Sequence, residues 1–321
     1  MPTIITAGSM TARGYGFGHH QGAVVTQVAL FYGGTGVGGC AAAAPNTLTR
    51  INACGTQIGG CTTISSGNFL RVSGASVNNN GMFHTANSAI VRVNSSGTQI
   101  GTSTVVGTVR RDTAGSPVGS YGMFYGGWSS GACPCCCPCI VYNTVTRVNA
   151  CGSLVGAETN INPIVTYFSG AKVGANALFF GGKPSLSSFC TTNNVVRINA
   201  CGTQVGGTTN VGTARYNVAG AAVGGNGLFY AGQTTTATPL TTVTRINSCG
   251  ALVGSETSVA NVRRGAAGTS IGNYGMFWGG QAVPCCVTNT VIKINACGTQ
   301  IGVSGSAGSI KRCGAGGATA S

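Results

Sequence analysis

The sequence predicts an all-β fold, a six-bladed propeller of four-stranded antiparallel blades, on three observations. One phrase occurs six times, at Arg50-Ile51-Asn52-Ala53-Cys54-Gly55, at Arg92 and Arg147, and from Arg197, Arg245 and Lys293. A second phrase keeps pace with it, running through Leu30-Phe31-Tyr32-Gly33-Gly34, Met82-Phe83-His84, Met123-Phe124-Tyr125-Gly126-Gly127, Leu178-Phe179-Phe180-Gly181-Gly182, Leu228-Phe229-Tyr230-Ala231-Gly232 and Met276-Phe277-Trp278-Gly279-Gly280. Third, no segment sustains a helical period, so units of about 48 residues read as all-strand blades that cover their faces only by stacking on neighbours.

Each unit divides into four short strands separated by Gly-rich turns. In the fifth unit the sequence places them at Ala219–Val223, Gly227–Tyr230, Thr242–Asn247 and Ala251–Glu256, with boundaries between units near residues 60, 106, 160, 209 and 258. The Ala-Gly-Ala of the first strand suits the crowded axis of a propeller. Alternating Val, Ile and Thr mark the third strand. The Asn247-Ser248-Cys249-Gly250 turn closes it. The chain reads as one domain, residues 1–321, with a lead over 1–12. Both ends carry the start of a unit, at Met10-Thr11-Ala12-Arg13 and at Ser309 to Gly316. The N-terminal copy looks complete, with a first strand around Gly22. The C-terminal copy, within 303–321, is then surplus and is expected to lie over the seam, so that ring closure depends on contacts between the two termini.

An Arg before a small-residue strand, a hydrophobic strand ending in Gly-Gly and a strand leading into a polar turn together resemble the kelch repeat, from about Arg13 to about Gly302. The spaced Tyr and Trp that follow the doublet in kelch units are missing, which marks a divergent, kelch-like variety. The Asn-Ala-Cys-Gly-Thr-Gln turn also resembles repeat arrays in structural proteins of tailed bacteriophages. These resemblances imply a structural or accessory protein of a virus particle, in a capsid, tail or fibre, presenting one propeller face to a partner protein or host surface glycan. The other implication is a cytosolic interaction module that grips an acidic peptide.

Composition narrows the chemistry. Against 17 Lys and Arg the chain has three carboxylates, Asp112, Glu158 and Glu256, and a formal net charge of +14. Paired-carboxylate catalysis and multi-carboxylate cation sites lack residues. Only His19, His20 and His84 could serve copper or a catalytic triad. No enzyme activity, cofactor or metal is therefore expected. No run of about 18 apolar residues spans a membrane, and no secretory signal opens the chain. The expected location is the virion, assembled from protein made in the host cytoplasm as part of a larger assembly.

Positive charge falls on two repeated positions. Arg50, Arg92, Arg147, Arg197, Arg245 and Lys293 occupy the third strand, where a mid-strand side chain points between blades, and a structural role follows. A second set precedes the first strand, at Arg13, Arg71, Arg110, Arg111, Arg215, Arg263, Arg264, Lys311 and Arg312. Lying before the innermost strand, it is expected either to ring the channel mouth and attract anions or to cap carbonyls of neighbouring blades and close the ring structurally. Aromatic residues in the loops at that end, Tyr15, Phe17, Trp128, Tyr167 and Tyr216, with His19 and His20, suit a glycan or an acidic protein surface. The ligand-binding set is thus Arg13, Tyr15, His19, His20, Arg71, Arg111, Trp128, Arg215, Tyr216, Arg264 and Arg312. Few Lys and no continuous phosphate track argue against nucleic acid.

The 16 cysteines form two groups. Cys54, Cys151, Cys201, Cys249 and Cys297 share one turn and are too far apart around a ring to pair with each other. Cys54 with Cys61 is a candidate disulfide across the last hairpin of unit one. Cys40, Cys133, Cys135, Cys136, Cys137, Cys139, Cys190, Cys285 and Cys286 fall in loops at the other end, where bridges would pin insertions. The paired spacing of structural zinc is absent from them.

Overall fold

The computed structural model describes residues 27–35, 46–64, 71–129, 139–186, 190–236, 238–282, 286–307 and 311–321. Six four-stranded antiparallel sheets stand as the blades of a propeller. Among the described residues there is no helix. Blade two runs from the inside outward as Ser73–Val77, Asn80–His84, Ala89–Val93 and Thr104–Val105. Blade three repeats this with Ala114–Val118, Tyr121–Tyr125, Thr144–Val148 and Thr159–Asn160. Blade four has Ser169–Val173, Asn176–Phe180, Asn194–Ile198 and Thr209–Asn210. Blade five follows with Ala219–Val223, Asn226–Tyr230, Leu240–Ile246 and Thr257–Arg263, and blade six with Ala267–Ile271, Tyr274–Trp278, Thr290–Asn295 and Gly305–Ser306.

Blade one corrects the expected closure. Its innermost strand is Gly316–Ala320, paired antiparallel with Val28–Tyr32, followed outward by Thr47–Ile51 and Thr62–Thr63. The C-terminal copy of the repeat is therefore a working strand inside the first sheet and not a surplus segment over the seam. The start of the expected seam segment belongs to blade six, whose outer strand is Gly305–Ser306. The first strand expected around Gly22 lies outside the described residues.

A second correction concerns the fourth strand, which in blade five is Thr257–Arg263 and not Ala251–Glu256. The residues after Asn247 are held in a turn, because Asn247 Oδ1 accepts the amides of Cys249 and Ala251, both at 3.0 Å. Val253 then donates to the Arg245 carbonyl at 2.8 Å, so the chain frees itself to pair only later. The same Asn carboxamide anchors this turn in all six blades, through Asn52, Asn94, Asn149, Asn199, Asn247 and Asn295.

The core sits between blades. Every residue of Leu228-Phe229-Tyr230 is buried, because alternate side chains of the second strand face opposite neighbouring blades. Phe faces the preceding blade and the next residue the following one. Ring pairs accordingly join every blade to the next: Tyr32 with Phe83, His84 with Phe124, Tyr125 with Phe179, Phe180 with Phe229, Tyr230 with Phe277 and Trp278 with Phe31, at centroid separations of 5.1 to 5.4 Å. His84 serves here as an aromatic ring. Burial pushes its pKa down to about 3, with the Arg110 charge adding to the effect, so it is neutral.

At the axis the inner strands meet through glycine. A Cβ on Gly74 would strike the carbonyl of Gly317, and the same relation links Gly317 to Gly268, Gly268 to Gly220, Gly220 to Gly170, Gly170 to Gly115 and Gly115 to Gly74. Six glycines close the circle.

Candidate functional site: the mouth of the central channel

The five connector triplets that lie wholly among the described residues fix the geometry of the mouth; each follows one rule. Its three successive residues have three different fates: Arg110-Arg111-Asp112 before blade three, Val165-Thr166-Tyr167 before blade four, Arg215-Tyr216-Asn217 before blade five, Arg263-Arg264-Gly265 before blade six and Arg312-Cys313-Gly314 before the inner strand of blade one. The first of each three turns inward, and Arg110, Arg215, Arg263 and Arg312 are all 2% exposed or less. The second pairs as a short bridge with the residue just after the Gly-Gly or Ala-Gly doublet, giving Arg111 with Trp128, Thr166 with Lys183, Tyr216 with Gln233, Arg264 with Gln281 and Cys313 with Thr35. The third adopts a left-handed backbone.

That last position is costly for most side chains. Asn, Asp and Gly fill it at Asn217, Asp112, Gly265 and Gly314, whereas Arg71, with φ of 55°, and Tyr167, with φ of 59°, fill it with large side chains. Backbone bonds hold part of this collar, with Asn217 donating to the Tyr167 carbonyl at 2.7 Å, Gly265 to Asn217 at 2.9 Å and Gly314 to Gly265 at 2.8 Å. Strain held in place by a surrounding framework is a frequent mark of binding sites.

Cations and rings alternate around the mouth. The Arg111 guanidinium lies 3.7 Å from the centre of the Trp128 ring, Arg71 lies 4.9 Å from that of Tyr167, and Lys183 lies 4.4 Å from that of Tyr216. Arg264 is aimed by Gln281 Oε1 at 3.0 Å and by Gln233 Oε1 at 2.5 Å. The single carboxylate, Asp112, accepts from Arg71 at 3.0 Å and from the Trp128 indole at 2.5 Å. Burial raises the Asp112 pKa, against the lowering effects of Arg71 and the indole hydrogen bond. Four cations therefore face one carboxylate. Below them opens a channel of about 1180 Å³, lined by the inner strands.

Arg71, Arg111, Trp128, Tyr216 and Arg264 come together here as the sequence suggested. Arg215 and Arg312 do not, because in an extended connector neighbouring side chains point to opposite sides. Each lies one residue earlier than the mouth position and is buried. Arg215 donates to the Phe229 carbonyl at 2.9 Å, to Thr244 at 2.6 Å and to Glu256 at 3.1 Å, while Arg312 donates to the Gly33 and Thr47 carbonyls at 3.0 and 2.7 Å. Arg13, Tyr15, His19 and His20 lie outside the described residues. Sequence reasoning missed Lys183, Gln233 and Gln281 as site residues, although one signal marks them: each directly follows a doublet ending in Gly.

The third-strand basic residues reach the turn of the next blade. Arg92 donates to Ala150 O at 3.3 Å, Arg147 to Ala200 O at 3.4 Å, Arg197 to Ser248 O at 3.4 Å, and Lys293 crosses the closure to Cys54 O at 3.2 Å. The side chains of Arg50 and Arg245 lie beside Gly97 and Gly298 of the next turns. Cys54 and Cys61 are both free thiols, which corrects the expected pairing. The Cys61 sulfur faces inward to Thr49 Oγ1 at 3.6 Å, whereas the Cys54 turn is taken up by blade six. Cys139 and Cys286 are free and exposed, and no disulfide forms among the described residues. Cys40, Cys133, Cys135, Cys136, Cys137 and Cys285 lie outside them.

No family model matches the chain, and no curated protein matches it. A solved structure described as "Structure of YjhT" superposes with a TM-score of 0.64 at 9% identity, covering 85% of this chain and 95% of that one. The likeness is one of fold. YjhT and this chain share the propeller without sharing a recognisable sequence.

Proposed function

We propose that the propeller is a non-catalytic binding module whose channel mouth takes a carboxylate-bearing segment of a partner protein. The observation that supports this is the covering of Trp128, Tyr167 and Tyr216 by Arg111, Arg71 and Lys183. Cations already occupy ring faces on which a sugar would stack, so the mouth offers positioned positive charge. Guanidinium groups held this way match carboxylates. Its one acid, Asp112, is engaged by Arg71 and Trp128 and leaves no free partner for acid–base chemistry.

Fluorescein-labelled hexaglutamate tests the reading by anisotropy. Arg111→Ala with Arg264→Ala is expected to weaken binding by at least about tenfold, equivalent to roughly 1.4 kcal/mol, at an unchanged melting temperature. The loss should shrink at high salt, because exposed charges are screened. Saturable binding of an anionic oligosaccharide such as sialyllactose, with none of hexaglutamate, would replace the peptide by a glycan. The kelch-like phrases support an interaction role, and the repeated Asn-Ala-Cys-Gly-Thr-Gln turn supports residence in a virus particle. Mass spectrometry of purified particles tests the latter: absence of the chain removes it.

A further inference from the structure

The mouth is one end of a longer passage. The same channel that touches Arg71 and Arg264 continues past the glycine circle to Asn79, Gly119 and Gly272 at the opposite opening. Beyond the glycines, the residues that border it include one at the same register of every inner strand: Ser76, Pro117, Lys172, Ala222, Ser270 and Thr319. Most of these are engaged between blades. The Ser76 hydroxyl accepts the Thr319 amide at 2.7 Å, and the Ser270 hydroxyl accepts the Ala222 amide at 2.7 Å. Lys172 breaks the pattern. The corresponding residue of the preceding blade is Pro117, whose nitrogen has no hydrogen for a side chain to accept, and Lys172 is exposed to the channel.

Among the described residues it makes no ion pair. Among the described residues the three ion pairs are Arg71 with Asp112, Arg110 with Glu158 and Arg215 with Glu256. Asp112, at the other end, is the one acidic side chain that lines the channel. Lys172 is the fourth residue of Ser169–Val173, so it lies roughly 10 Å along the strand from the mouth end at about 3.3 Å per residue. The channel volume of about 1180 Å³ exceeds the roughly 300–1,000 Å³ of small-molecule pockets.

We propose that the channel takes an extended acidic peptide end-on, one carboxylate held among Arg71, Arg111 and Arg264 and a second reaching Lys172 near the far opening. This rests on the peptide-binding reading above and adds a length requirement to it. Four or five extended residues, at about 3.3 Å each, cover the distance. Two carboxylates are then read by one chain.

Labelled diglutamate and hexaglutamate separate the two levels of the idea. With the native protein, hexaglutamate is expected to bind about tenfold more tightly than diglutamate. Lys172→Gln should erase that gain while leaving diglutamate affinity and melting temperature unchanged, and Lys172→Arg should keep it. A length gain that survives in Lys172→Gln overturns the inference and leaves the mouth reading standing. Equal weakening of both peptides by Lys172→Gln overturns the spanning geometry. Failure of the native protein to bind either peptide removes the mouth reading and the inference with it.

Discussion

Blades three and five receive a buried arginine against a glutamate, whereas blades six and one receive theirs against carbonyl groups. In blade five Arg215, Thr244 and Glu256 form a closed set, with Arg215 3.1 Å from the carboxylate, which also takes the amide and hydroxyl of Thr213. Blade three repeats this with Arg110, Thr146, Glu158 and Thr108. In blade one the corresponding residues are Arg312, Thr49 and Cys61, so a thiol stands where the carboxylate would be. Blade six has Arg263, Ile292 and Ser304, with Arg263 donating to the Gly279 and Thr290 carbonyls at 2.9 Å. Blade four dispenses with the charge altogether and places Val165, Val196 and Thr208 there. Burial holds Arg110, Arg215 and Arg312 down to about 10, still protonated at neutral pH. The requirement is that the connector be filled; the charge itself is optional.

The severest way to break the comparison is to remove one connector with its strand. Truncation before Lys311 deletes Arg312 and five residues paired with Val28–Tyr32, at about 1 kcal/mol for each lost pairing. A loss on the order of 5 kcal/mol, comparable with the whole stability of many domains, is expected in urea unfolding. Hydrogen exchange should rise first in blades one and six, and even protection across all blades would contradict the closure described.

A gentler test exchanges one solution for another. Glu256→Thr alone leaves Arg215 buried without its partner and should cost about 3 kcal/mol. The triple change Arg215→Val, Thr244→Val and Glu256→Thr copies blade four into blade five and should recover to within about 1 kcal/mol of the native protein. Failure of the triple change to recover would mean that the charge is required. Acid separates the blades as well. Burial favours the neutral Glu158 and Glu256 carboxyls, but hydrogen bonds from Thr108 and Thr146 or Thr213 and Thr244, with the adjacent arginine, outweigh it and hold both below the usual carboxylate range. Their contribution is full above the unfolded value and lost as pH falls through the lowered folded one.

The smallest expected effect lies in blade two, where the buried base is neutral. His84 gains a proton on unfolding, so its contribution is full above about pH 6.5 and declines as pH falls towards 3. His84→Phe should therefore add on the order of 2 kcal/mol of relative stability between pH 7 and pH 5. Parallel pH dependence of native and variant would show that this ring is protonated in the fold.

The repeats made the blade count legible because each unit meets the next through the same few residues, above all the Phe of the second strand, its aromatic neighbour and the inner Gly, and because the same Asn anchors each blade's own turn. Strand limits were less legible where a turn has strand-like composition, as at Ala251-Leu252-Val253. Closure was misread because a partial copy looks alike whether it pairs or hangs free. At the mouth, the sequence pattern found the basic connectors but could not separate Arg215 from Tyr216, since one residue of register decides which side chain turns inward. The Cys54 and Cys61 spacing fits a hairpin bridge, yet the direction of the Cys61 side chain towards Thr49 rules it out.

The six glycines around the axis carry a consequence for selectivity. Where each residue abuts the carbonyl of the neighbouring strand, the bore is set by main chain against main chain. No rotamer can widen it and no small adjustment of one side chain can narrow it, so the aperture is a collective property of the number of blades. Replacing any one of the six would push two blades apart and be felt as a change in the whole circumference. The backbone of the proposed peptide would therefore have to fit a fixed gauge, and selectivity could be tuned only through residues above and below that ring.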